Sequence, residues 1–79
     1  MSLNAATITE LSRTIAEDYD DPELEIVGVA THGGSDRVEV LISLPDADEG
    51  RRIHMLNLTR TKKVDFERDL RDRLGQSLK

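Results

Sequence analysis

Apolar residues recur along this chain with two different periods, and the changes of period mark out its elements. Ile8, Leu11, Ile15 and Tyr19 follow one another at three- and four-residue intervals, the spacing of one face of an α-helix. A helix is therefore predicted over residues 4–18. Asn4 can cap it, and Thr7 with Glu10 forms the T-x-x-E pattern of a capping box, so the start falls at one of these two positions. The acidic run over 17–21 opposes the helix macrodipole at its C-terminal end, and Pro22 enforces the stop.

Over residues 23–32 the period falls to two and Val and Ile dominate, which predicts a strand; Gly28 inside it is a candidate bulge. Gly33, Gly34, Ser35 and Asp36 supply the positive-φ residues of a hairpin turn. Residues 37–44 alternate most cleanly, with Val38, Val40, Ile42 and Leu44 on one side and Arg37, Glu39, Leu41 and Ser43 on the other. Pro45 closes this strand, the acidic stretch 45–50 turns the chain, and residues 51–59 give a third strand. There Ile53, Met55 and Asn57 alternate with His54, Leu56 and Leu58, and neither side is plainly the core side.

After the basic connection 60–63, Phe66, Leu70, Leu74 and Leu78 recur every four residues, the narrow stripe of a helix that docks on the sheet. Thr61 or Asp65 can cap this helix and Gly75 suits its C-terminal cap. Its outer face offers Glu67 with Arg71 and Asp69 with Arg73, acid-first pairs at the favourable spacing. Short connections make the strands an antiparallel meander. The fold class read from the pattern is α+β, two-layer, in the order α-β-β-β-α, with a three-stranded antiparallel sheet and two helices on one face. Residues 1–79 form one domain.

The same pattern leaves apolar residues on the second face of the sheet. Leu41, some of Val27 and Val29, and part of the Leu56 and Leu58 pair belong there, so that face is expected to be covered by a helix or by another protein surface. Size strengthens the second possibility. A domain of 79 residues with two aromatic side chains, Tyr19 and Phe66, has a small aliphatic core, and oligomerisation is a usual remedy for so thin a margin.

Charge adds an asymmetry. Residues 1–50 hold 12 acids against Arg13 and Arg37, whereas residues 51–79 hold nine bases against four acids. The net charge is −5. Eight of the eleven Lys and Arg sit in 51–74, and the expectation is that the two parts neutralise each other within the fold or across a dimer. The basic set Arg51, Arg52, Arg60, Lys62, Lys63, Arg68 and Arg71 also has the residue types that bind phosphates, which makes a nucleic-acid-binding accessory protein the alternative reading. The one aromatic residue among these bases, Phe66, belongs to the stripe that docks on the sheet, so none is left to stack on nucleobases.

Candidate chemistry is sparse. The absence of cysteine excludes thiol catalysis and thiolate metal sites. Alternating acids from Asp46 to Glu49 have the composition of a calcium loop, but counting from Asp46 puts Arg51 where the motif needs glycine and Asn57 where it needs glutamate. His32 and His54 are separated by the middle strand, and nothing in their spacing supplies a nucleophile or a third ligand. The expectation is a cytoplasmic, acidic, non-enzymatic module without cofactor, metal, membrane or small-molecule substrate, working as a protein-binding or regulatory unit and homodimerising through its sheet. Leu41, Met55, Leu56 and Leu58 are the expected apolar contacts. Arg51, Arg52, Arg60, Lys62 and Lys63 are the expected basic ones.

Overall fold

The computed structural model describes residues 3–19, 22–48 and 50–77. Asp20 and Asp21 of the acidic run, Glu49 of the acidic turn and Leu78 of the apolar stripe lie outside the described residues. Helix α1 (Ala5–Glu17) leads into strands β1 (Glu25–Thr31), β2 (Arg37–Asp46) and β3 (Gly50–Thr59), and helix α2 (Lys63–Ser77) ends the order. The sheet is an antiparallel meander, β1-β2-β3, so β2 is central and the other two strands are its edges.

Helix α1 starts at the first of its two candidate caps. Asn4 holds extended backbone angles and its Oδ1 accepts the Thr7 N–H at 2.8 Å, satisfying one of the donors that a helix N-terminus leaves open. Ile8 and Ile15 turn inward and are fully or almost fully buried. Ser12 lies between them on the same face, and its hydroxyl donates to the Ile8 carbonyl at 2.7 Å, so its burial leaves no unpaired polar atom.

One face of the sheet builds the core. Val38, Val40, Ile42 and Leu44 from β2 and Leu56 and Leu58 from β3 pack with Phe66, Leu70 and Leu74 of α2 and with the α1 isoleucines. Both helices thus cover the same side, α1 chiefly over β1 and α2 over β3. Tyr19 ties the helices together, its hydroxyl donating to the Arg71 carbonyl of α2. Arg71 in turn reaches Asp18 at 2.8 Å rather than Glu67, so the expected pairing along α2 gives way to an ion pair between helices.

The bulge is at Gly28. Pairing runs Ile26↔Ile42 and then Gly28↔Leu41, leaving Val27 as the extra residue, and the insertion shifts the phase so that Val29 pairs with Val40 and packs against the core. Val29 therefore leaves the second face to which the simple alternation assigned it. Pro45 does not close β2, since the strand runs through it to Asp46, with Pro45 opposite Arg51. Gly34 and Gly50 adopt positive φ, 74° and 81°, at the two hairpin turns, where a side chain would meet its own backbone.

Gly75 is not a cap. It lies within α2, at no positive φ, and a Cβ built on it would meet only the Tyr19 hydroxyl at 4.0 Å, an ordinary contact. Glycine in a helix costs about 0.5–1 kcal/mol relative to alanine because its backbone loses more freedom on folding. Gly75→Ala is accordingly expected to raise the thermal midpoint by a few degrees, and a lowered midpoint would contradict the helical placement.

Candidate functional site

Strand β3 carries most of the residues singled out for binding, and its register decides which of them are accessible. Val40 pairs with Leu56 and Val38 with Leu58, which puts both leucines on the core face at 6% exposure each. They are structural residues, and their expected place among the apolar contacts is corrected on that ground. Leu41 and Met55 pair on the opposite face; Leu41 is half-buried and Met55 is 54% exposed. Ile53, outside the expected contact set, is equally exposed at 55%. Val27 joins them at the bulge opposite Leu41, 52% exposed. The outer face therefore carries a patch formed by Val27, Leu41, Ile53 and Met55.

The basic residues do not converge. Nine steps of extended chain at about 3.3 Å each separate Arg51 from Arg60 by roughly 30 Å. Each of these two arginines is also engaged by its own chain. The Arg51 guanidinium lies across β2: Nε donates to the Ser43 hydroxyl at 2.7 Å, Nη2 to the Ser43 carbonyl at 3.1 Å, Nη1 to the Glu23 carboxylate at 3.2 Å and Nη2 also to the Glu23 carbonyl. This arrangement shields Ser43, which is 5% exposed although it stands on the outer face. Arg51 thus joins one edge of the sheet to the start of the other.

Arg60 performs the corresponding task at the opposite end. Its backbone N–H extends the ladder to the Asp36 carbonyl at 2.8 Å, and its own carbonyl accepts the Leu3 N–H at 2.8 Å. The guanidinium donates to the Ser35 carbonyl from Nε at 3.2 Å and from Nη2 at 3.0 Å, and to the Leu3 carbonyl from Nη1 at 3.1 Å. One side chain therefore fastens the β1–β2 turn, the segment before α1 and the exit from β3. A planar fork with donors at fixed angles is suited to such multiple acceptance, which a lysine ammonium does not reproduce.

Arg52 contacts Asp46 at 3.0 Å, and Lys63 contacts Glu67 at 3.8 Å. Arg68 lies 3.4 Å from both Asp65 and Asp69. Three of the ion pairs, Arg51–Glu23, Arg52–Asp46 and Arg71–Asp18, join the basic second part of the chain to the acidic first part. Folding in this way pairs three of the bases of the second part with acids of the first. Arg60, whose guanidinium bonds only to carbonyls, and Lys62 are the members of the five-residue basic set with no ion pair among the described residues.

The histidines lie far apart in role. His32 Nε2 is 2.8 Å from the Glu39 carboxylate on the outer side, while His54 stands opposite Ile42 in the core-face row. No group of three or more His, Cys, Asp or Glu side chains with metal-holding geometry occurs among the described residues. A shallow groove of about 630 Å³ runs between α1 and β1, floored by Ala16, Pro22, Leu24 and Ile26 and rimmed by Arg13, Glu17 and Glu25. No helix is long and apolar enough to cross a membrane among the described residues. Compared with family models, curated proteins and solved structures, the chain yields no match.

Proposed function

We propose that this chain is a small, non-enzymatic protein-binding module that self-associates through its sheet. The observation that carries the reading is the position of Ile53 and Met55: two large apolar side chains, each more than half exposed, beside each other on an edge strand and continuous with Leu41. Scattered exposed apolar residues need no explanation, but a cluster on one sheet face next to an open edge has the composition of a contact surface. The thin core of so short a chain points the same way, because burying this patch would add apolar area that the monomer leaves in water.

The reading predicts the effect of charge at that patch. In Ile53→Asp and Met55→Asp, the carboxylates stand at exposed positions, so the fold is expected to survive. Association is expected to weaken about 30-fold or more, since the new charge must be desolvated in the complex. Light scattering after size exclusion reads this as a shift from twice the chain mass of 8.9 kDa toward that mass itself. Equal masses for parent and variant would overturn the proposal.

A further inference from the structure

The two edges of the sheet differ in a way that assigns them different roles. β1 is short, seven residues, and carries a bulge, one of the devices by which edge strands resist pairing. β3 has ten residues, pairs with β2 without interruption and contains no proline. Its backbone phase follows from the ladder. The Arg60 N–H points to β2, where it meets the Asp36 carbonyl, so the N–H and C=O groups of even-numbered residues face β2 and those of Arg51, Ile53, Met55, Asn57 and Thr59 face outward. This row of donors and acceptors is regular and long enough to take another strand.

We infer that β3 pairs antiparallel with β3 of a second copy about a two-fold axis at His54, joining two three-stranded sheets into one of six strands. The inference rests on the self-association reading above and specifies its geometry. Side-chain pattern selects this arrangement. With the axis at His54, Ile53 of each copy faces Met55 of the other, so the two exposed apolar pairs cross, and the patches that include Leu41 merge into one stripe. Arg51 falls opposite Asn57, and Arg52 opposite Leu56. Asn57 pairs within its own sheet with Glu39, which places a carboxylate beyond the residue that Arg51 of the other copy meets.

Charge also excludes the alternative orientation. A parallel, in-register copy would stack Arg51 on Arg51 and Arg52 on Arg52, whereas the antiparallel copy sets the basic end of each strand against the uncharged end of the other. The isologous arrangement closes on itself. Pairing β3 with the β1 edge of another copy would propagate without closure, and the bulge stands against it.

The natural chain has no cysteine, so single cysteines report the contact cleanly. Residues directly opposite in an antiparallel pair lie within disulfide range. Under mild oxidation His54→Cys is expected to crosslink about ten-fold or more faster than the exposed control Val27→Cys, because the paired thiols hold a high effective concentration. Should His54→Cys fail to fold, a mixture of Ile53→Cys and Met55→Cys chains serves instead, with the mixed disulfide expected to exceed both symmetric ones. Dimers that crosslink through Val27→Cys and not through β3 would overturn the edge pairing while leaving self-association standing. A strict monomer by light scattering would remove both.

Discussion

Phe66→Ala is expected to remove about 3–5 kcal/mol of stability, the range for deleting a fully buried phenylalanine. Phe66 is 0% exposed and lies in the cluster formed by both helices and the sheet. A chain of this size has a total stability of roughly 4–12 kcal/mol, so the loss consumes a large part of it. The only other aromatic side chain, Tyr19, is half-buried at the helix–helix contact and cannot fill the space. Phe66→Leu keeps most of the volume and is expected to cost far less. Urea titration distinguishes the two, and a loss under about 1 kcal/mol for Phe66→Ala would contradict the packing described.

The second large effect belongs to Arg60. Its guanidinium serves the Ser35 and Leu3 carbonyls, so Arg60→Ala leaves these part-buried acceptors without a charged donor, while the backbone bonds to Asp36 and Leu3 persist. About 2 kcal/mol of destabilisation is expected, the lower part of the range for hydrogen bonds to charged groups, because the site is only partly shielded from water. Arg60→Lys is expected to recover little, since an ammonium cannot reproduce the planar fork. If Arg60 served instead to contact a partner, its removal would leave the urea midpoint unchanged. The matching experiment on Lys62, which is exposed and outside any ion pair among the described residues, is expected to leave stability within about 0.5 kcal/mol of the parent.

These two residues mark what periodicity reveals and what it conceals. Phe66, Leu70 and Leu74 at four-residue spacing announced a docking helix, and the alternation of β2 placed Val38, Val40, Ile42 and Leu44 in the core. The meander followed from connections too short for anything else. β3 was illegible for a physical reason: both of its phases are apolar in part, and only the register with β2 turns Leu56 and Leu58 inward and Ile53 and Met55 outward. At β1 the bulge moved Val29 to the core side, a phase shift that a fixed period of two cannot express. The arginines were harder still. Arg51 and Arg60 have the look of a binding surface in sequence, yet their partners include carbonyls and a carboxylate more than 20 residues distant along the chain, at Glu23 for Arg51 and at Ser35 and Leu3 for Arg60. Long-range acceptance of this kind has no local signature.

With Arg51 and Arg60 accounted for as fasteners, the uninterrupted edge of β3 and the apolar side chains on it remain open among the described residues. Hydrogen exchange of the β3 amides tests this most directly, because it reads the backbone groups on which the account depends and needs no substitution. At low protein concentration the outward amides of Ile53, Met55 and Asn57 are expected to exchange rapidly while the inward amides of Leu56 and Leu58 stay protected; at high concentration all five are expected to be protected. Outward amides that exchange at the same fast rate at every concentration, in a sample that light scattering finds dimeric or monomeric, would contradict the proposal that a second copy pairs along this strand.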